Sequence, residues 1–201
     1  MFHLDIQALI LAVGYTGILA IIFAESGLFF GFFLPGDSLL FTAGLLASQG
    51  YFNMWILVPL SIVCAILGDN VGFHFGRKIG PKIFTKEDSF FFHKDHIRRT
   101  EVFYNRYGKK TIILARFVPV VRTFAPILAG VGNMDYKTFF TYNVIGGILW
   151  TAGILFVGYF LGSVFPQIEK YISVIVIAIV VISFLPFVRE YLHHRKMQKK
   201  L

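Results

Sequence analysis

Long apolar stretches alternate along the chain with short polar or glycine- and proline-rich breaks. A bilayer-spanning helix needs about 20 predominantly apolar residues. Residues 54–76, 138–162 and 171–188 meet or approach that length. A helix that is apolar around its whole circumference belongs inside a large core or a membrane. The pattern therefore predicts an all-α polytopic membrane protein rather than a soluble domain.

The first apolar region is interrupted in its middle. Residues 8–24 are apolar, Glu25 follows, and a glycine-broken aromatic run leads to a Pro-Gly-Asp sequence that begins at Pro35. Residues 38–48 are apolar again but too short to cross a bilayer alone. Because Pro-Gly pairs favour turns, the two arms predict a re-entrant helical hairpin. The alternative is one ordinary span with an external loop at Pro35.

Residues 111–131 are also apolar, yet they carry Arg116, Arg122, Pro119 and Pro126. An arginine in mid-bilayer costs about 2.5–3.5 kcal/mol on insertion scales, and proline removes a backbone hydrogen bond that lipid cannot replace. We therefore expect a second re-entrant segment that is buried in protein and lines a polar cavity. Its arginines are expected to face the acidic residues of the first hairpin.

Basic residues are concentrated in two polar segments. Residues 77–110 hold ten lysines and arginines against four acids, and the tail 189–201 holds five against one. Such an excess is typical of cytoplasmic segments, and the first segment predicts an amphipathic helix on the membrane surface. With both segments inside, one hairpin opens to each face of the membrane. This is the topology of an inverted repeat.

Weak internal similarity supports the repeat. A shift of 86 residues aligns Ala43-Gly44 with Ala129-Gly130, and Gly72 and Gly76 with Gly158 and Gly162. The sequence thus predicts one membrane domain, 1–201. Its parts are a first repeat at about 8–80, a cytoplasmic connection at 81–110, a second repeat at about 111–165, a final span at 171–188 and a basic tail at 189–201.

Composition agrees with this picture. The chain has 201 residues, of which 56% are hydrophobic, and a net charge of +8, with a mean hydropathy of +0.70. Because the positive charge lies beside apolar spans, it indicates topology and anionic lipid rather than nucleic acid. The single Cys64 cannot form an internal disulfide. The start of the chain lacks a basic segment, so no cleavable signal peptide is expected.

Several residues have more than one interpretation. Asp69 lies about two turns from Arg77, so we expect it to pair with Arg77 or to cap a broken helix rather than to act directly in transport. His74 is expected to be a packing residue rather than a proton relay. His93 and His96 indicate a solvated face rather than a metal site. Near Asp69, glycines that allow close backbone approach recur at positions 68, 72, 76 and 80.

The charged residues of the two hairpins suggest a function. Arg116 and Arg122 suit a phosphate group, because guanidinium groups bind its oxygens in pairs. Glu25 and Asp37, removed from water, favour their neutral form and can exchange protons. Together they predict a proton-coupled carrier of a lipid phosphate. The alternatives are a permanent structural network of the four charges, a lipid phosphatase, which would need a histidine or nucleophile set, and a small-ion or drug exchanger, which would leave the arginines unexplained.

Three motifs occur in order: Glu25 with Pro35-Gly36-Asp37, then Gly68-Asp69 with Gly76-Arg77, then Arg116-Phe-Val-Pro119-Val-Val-Arg122 with Ala129-Gly130. They resemble the DedA family of bacterial inner-membrane proteins, relatives of the eukaryotic VTT-domain lipid scramblases, over roughly residues 10–190. Phe73 departs from the family pattern, in which we expect a tyrosine.

The resemblance implies paired re-entrant helices, an inner-membrane location, and lipid transport in envelope homeostasis; the cytoplasmic C-terminus is expected from the basic tail. The implied cargo is undecaprenyl phosphate, or phosphatidylethanolamine in other members. No cofactor or metal is implied, and a homo-oligomer is allowed. The family's essential acidic pair falls on Glu25 and Asp37, and its essential arginine pair on Arg116 and Arg122. The residues expected to support the site are Pro35, Gly36, Asp69, Arg77, Pro119, Pro126 and Gly130.

Overall fold

The computed structural model describes residues 6–28, 31, 34–83 and 110–164. These residues form six helices and no strand. The helices are α1 (Ile6–Gly27), α2 (Gly36–Ser48), α3 (Met54–Ile83), α4 (Thr111–Ala115), α5 (Pro119–Val131) and α6 (Tyr136–Val164). The predicted amphipathic connection beyond residue 83, the final span 171–188 and the basic tail 189–201 lie outside the described residues.

Helices α3 and α6 coincide with two of the predicted spans. Within the described part of the chain, Met54–Ile79 and Tyr136–Val164 are the two stretches long and apolar enough to cross a membrane. Each helix begins after a capping side chain: Asn53 Oδ1 accepts from the Trp55 amide at 2.9 Å, and Asp135 Oδ2 accepts from the Thr138 amide at 2.9 Å. These caps satisfy amides at the helix start that have no partner within the helix.

The shorter helices are separated by breaks at the positions that the prolines indicate. Helix α1 ends at Gly27 and α2 begins at Gly36, directly after Pro35. Helix α4 ends at Ala115, and α5 begins at Pro119. Proline suits the first turn of a helix, because an amide there has no partner within the helix anyway. The second broken segment therefore contains two helices, with Arg116 at the break between them.

Helices α2 and α5 each pack against the long helix of the other half of the chain. Helix α2 makes its most extensive contact with α6, and helix α5 makes its most extensive contact with α3. A Cβ atom on Gly44 would meet the Leu155 carbonyl oxygen in the first contact, and one on Gly130 would meet the Phe73 carbonyl oxygen in the second. These are two of the glycines that the 86-residue shift aligns. Glycine is required here because the backbones approach so closely.

The predicted glycine stripe on α3 serves the same purpose. A Cβ atom on Gly68 would lie 2.7 Å from the Phe23 carbonyl oxygen of α1, and one on Gly76 would meet the Ile127 carbonyl oxygen of α5. The prediction of close backbone approach is therefore confirmed at these two positions. Helix α3 is held between α1 on one side and α5 on another, which fixes its polar residues relative to both breaks.

Large apolar side chains cover the outer faces of the long helices. Trp55 is 90% exposed, and Leu67, Ile148 and Phe160 are also exposed. By contrast, Glu25, Asp69, Arg116 and Arg122 are each at most 2% exposed. This inverted distribution, with charges inside and apolar groups outside, suits a lipid environment.

Candidate functional site

The breaks after α1 and before α5 bring two acidic residues to one arginine. Glu25 lies in the last turn of α1, Asp37 in the first turn of α2 and Arg122 in the first turn of α5. Arg122 Nη1 donates to Asp37 Oδ1 at 2.6 Å, and Arg122 Nη2 donates to Glu25 Oε1. The predicted meeting of this arginine with both acids is confirmed.

The two acids differ in their access to solvent. The Glu25 side chain is 2% exposed, whereas the Asp37 side chain is 25% exposed. Glu25 also packs against backbone, because a Cβ atom on Gly36 would overlap its carboxylate. Position 36 must therefore be glycine if Glu25 is to reach Arg122. The carboxylate of Asp37 is the accessible end of the cluster.

Trp150 on α6 completes the surroundings of Arg122. Its indole Nε1 donates to the same Asp37 Oδ1 atom at 2.9 Å. Its ring centroid lies 4.4 Å from the guanidinium carbon of Arg122 and 6.0 Å from that of Arg116. A guanidinium over an indole ring gains cation–π attraction. Trp150 thus contacts both the acid and the arginine of the site.

Arg116 lies at the break between α4 and α5 and pairs with a different acid. Its Nη2 atom donates to Asp69 Oδ2 of α3 and to Asn143 Oδ1 of α6. Asn143 in turn donates from Nδ2 to the Ile66 carbonyl oxygen at 3.2 Å. A Cβ atom on Gly146 would lie 2.9 Å from Arg116 Cδ, so glycine at this position leaves room for the buried side chain.

Two predictions about these charges are wrong. Arg116 does not join Glu25 and Asp37 but bonds to Asp69. Asp69 neither pairs with Arg77 nor caps a helix, because it lies inside α3 and the Arg77 side chain is exposed. The two residues are separated by about 12 Å along the helix axis at 1.5 Å per residue. Burial of Asp69 requires a partner from another helix instead.

The structure also locates the supporting residues. Pro35 precedes α2, and Pro119 begins α5. Pro126 lies within α5, and its Cβ would be 3.5 Å from a Cβ atom on Gly72 of α3. Gly130 is at the contact between α5 and α3 described above. These residues shape the breaks and contacts that hold the charges in place.

The cluster contains three carboxylates and two guanidinium groups, so it carries a net charge of −1 when all five are ionised. Some of its buried polar atoms have no hydrogen-bond partner within the described ranges: Glu25 Oε2, Asp69 Oδ1, Arg116 Nε, Arg116 Nη1 and Arg122 Nε. The site can therefore accept a proton on a carboxylate, and it retains N–H donors for an anion.

Of the histidines considered in the sequence, His74 lies within the described residues. His74 is exposed, and its ring centroid lies 5.4 Å from that of Tyr136 and 5.6 Å from that of Phe73. His93 and His96 lie outside the described residues. In the part of the chain that the structure describes, no group of three histidine, cysteine or acidic side chains could hold a metal ion.

Sequence reasoning missed Trp150 and Asn143. Asn143 had a signal, because an amide in an otherwise apolar span must find a hydrogen-bond partner there. The sequence signal for Trp150 was weaker. Tryptophan is enriched at the edges of membrane spans, whereas Trp150 lies in the middle of α6. Its indole N–H cannot be left unpaired in an apolar interior.

Comparison with known proteins gives consistent matches. The family model described as the VTT domain matches residues 34–160. Protein DedA of Escherichia coli strain K12 is 44% identical over 184 residues, covering 90% of this chain and 84% of that protein. An uncharacterized membrane protein of Mycobacterium leprae is 41% identical over 200 residues, covering 100% of this chain and 89% of its own length. No solved structure matches the chain.

Proposed function

This chain belongs to the DedA family of VTT-domain membrane proteins, and we propose that it transports a phosphate-bearing lipid across the membrane. The cargo we propose is undecaprenyl phosphate, carried across the cytoplasmic membrane in support of the cell envelope. The chemical requirement is an anionic phosphate on an apolar chain, because the charged site lies among apolar helices.

The observation that carries this proposal is the buried contact of Arg122 with Glu25 and Asp37. Charges inside membrane proteins are expensive, and they mark substrate or ion pathways when they are retained. Here the pair of acids supplies proton sites, and Arg122 supplies the phosphate contact. Arg116 adds positive charge beside it and keeps N–H groups without an acceptor among the described residues.

The proposed architecture is an inverted repeat with two re-entrant hairpins. The reciprocal packing of α2 on α6 and of α5 on α3 supports it, as do the matching glycines at each contact. In transporters of this kind the substrate site lies between the repeats, where helices are broken. The basic connection and tail favour a cytoplasmic C-terminus in an inner membrane.

Vesicle reconstitution tests the proposal. The full-length protein is placed in liposomes with a fluorescent polyprenyl phosphate, and exchange between leaflets is followed by quenching from outside. We expect exchange by the wild type and by Trp55→Phe, whose side chain is 90% exposed, and none by Arg122→Ala. The proposal is wrong if Arg122→Ala exchanges lipid at the wild-type rate.

The same vesicles separate the alternatives. Release of inorganic phosphate from the lipid would indicate a phosphatase. A proton-driven cation flux that does not depend on lipid would indicate an ion exchanger. Exchange of fluorescent phosphatidylethanolamine in place of the polyprenyl phosphate would indicate a general phospholipid translocase.

A further inference from the structure

We propose that the position of Asp37 Oδ1 is the binding site for a phosphate oxygen of the lipid, and that Trp150 is its second donor. In the present structure the carboxylate of Asp37 takes the place of that oxygen. This inference rests on the proposed function and assigns to Trp150 a direct substrate contact.

Two donors from different helices converge on this one oxygen position. Arg122 Nη1 of α5 lies 2.6 Å from Asp37 Oδ1, and Trp150 Nε1 of α6 lies 2.9 Å from it. An indole N–H and a guanidinium can donate but cannot accept. Both therefore require an acceptor at this point. A phosphate oxygen there would receive one charge-assisted and one neutral hydrogen bond.

Of the two acids bonded to Arg122, Asp37 is the one that can be displaced by substrate, and Glu25 is the one that remains bonded. The Asp37 side chain is 25% exposed, against 2% for Glu25. Asp37 lies in the first turn of α2, directly after the break at Pro35. Glu25 is confined by the backbone at Gly36 and bonds to the other terminal nitrogen of Arg122. It can keep its bond to Arg122 while Asp37 is exchanged for substrate.

The surrounding charges make the carboxylate of Asp37 and a phosphate compete for the same donors. Asp37 shares its surroundings with Glu25 from α1, Asp69 from α3, Arg122 from α5 and Arg116 at the end of α4. The cluster is already negative by one charge, so a phosphate monoanion added beside Asp37 would double the excess. We therefore infer that the phosphate oxygen displaces the carboxylate from Arg122 and Trp150, and no covalent bond of the lipid changes.

The two tryptophans of the chain allow a direct test. Trp55 is 90% exposed, so the Trp55→Phe variant leaves Trp150 as the single tryptophan, whose emission is followed. The ligand is the methyl ester of geranylgeranyl phosphate, a phosphodiester with a charge of −1. Full-length protein in detergent micelles is titrated with it at neutral pH, and affinity is measured in parallel by equilibrium dialysis.

We expect Trp150 emission in the Trp55→Phe variant to change on binding. The Trp150→Phe variant should bind roughly tenfold more weakly than the Trp55→Phe variant, as expected for loss of one hydrogen bond to a charged group. Adding Asp37→Ala to the Trp55→Phe variant should strengthen binding roughly tenfold, because no carboxylate then has to be displaced from Arg122.

Three results would overturn the inference. One is equal affinity of the Trp150→Phe and Trp55→Phe variants, and another is an Asp37→Ala variant that binds no more tightly than its parent. Either of these, with binding of the lipid retained, leaves the transport proposal standing. The third is an absence of binding by the wild type, which would overturn both. The Asp37→Ala titration decides the matter even if Trp150→Phe does not fold, because it leaves Trp150 in place.

Discussion

A single methyl group added at Gly36 tests the geometry of the site directly. In the Gly36→Ala variant the new Cβ atom would overlap the carboxylate of Glu25. The Glu25 side chain is 2% exposed and bonds to Arg122, so it has no open space into which it can move. We therefore expect the substitution to separate Glu25 from Arg122 or to displace the start of α2.

The expected loss of stability follows from the ion pair between Glu25 and Arg122, which the substitution breaks. Loss of one partner from a buried ion pair costs about 3–5 kcal/mol, since the other charge is left uncompensated. Alanine gains up to about 1 kcal/mol over glycine in helix propensity. The net loss in unfolding free energy is then about 2–5 kcal/mol. For a chain of this size that corresponds to a fall of roughly 4–20 °C in the unfolding midpoint.

The matched control is the same substitution at Gly153 on α6. A Cβ atom there meets no described atom within 4 Å, so Gly153→Ala should leave the midpoint unchanged or raise it slightly. Thermal unfolding of both variants in detergent gives the comparison. Shortening the acid by one methylene, in the double variant Gly36→Ala with Glu25→Asp, should restore part of the lost stability. If Gly36→Ala melts within about 2 °C of the wild type, Glu25 does not occupy the position described.

The remaining predictions concern the second ion pair, the helix contacts and Glu25. Asp69→Asn should lower the unfolding free energy by about 3 kcal/mol, because it leaves the buried guanidinium of Arg116 without an opposite charge. Arg77→Ala, at an exposed side chain, should change the unfolding free energy by no more than about 0.5 kcal/mol. Equal melting curves for the two variants would contradict the pairing of Asp69 with Arg116. Gly44→Val should separate α2 from α6 and lower the midpoint by several degrees relative to Gly153→Val, which meets open space. Glu25→Gln should slow lipid exchange in vesicles, since Asp37 would then be the one charged acid bonded to Arg122 and would be held there more tightly. An unchanged rate would show that Glu25 does not help Asp37 to leave Arg122.

Some of the fold could be predicted from the sequence because its signals are local. The spans at 54–76 and 138–162 follow from apolar length alone, and their starts coincide with capping residues, Asn53 and Asp135. The breaks follow from proline and glycine. The contact of Arg122 with its acids followed from a stronger constraint: opposite charges in an apolar segment must find each other.

The errors have a different origin. The partner of Asp69 was sought nearby on the same helix, at Arg77, but the true partner is 47 positions away in sequence. Which face of α3 meets the break before α5 depends on how the helices pack, and residue periodicity does not report that. Trp150 gave almost no signal because most of its surface is apolar. Its role depends on one N–H group whose acceptor comes from α2.

The distribution of charge between the two halves of the chain bears on how the site can work. Within the described cluster, α1, α2 and α3 contribute the carboxylates of Glu25, Asp37 and Asp69, whereas the segments from α4 to α6 contribute two arginines and the donor Trp150. Every ion pair in the cluster therefore joins one half to the other. Attraction between charges that are removed from water is strong, so any movement of one half against the other must first weaken these pairs. A phosphate bound to an arginine would do so, and the proposed substrate site is therefore also the contact that holds the halves together.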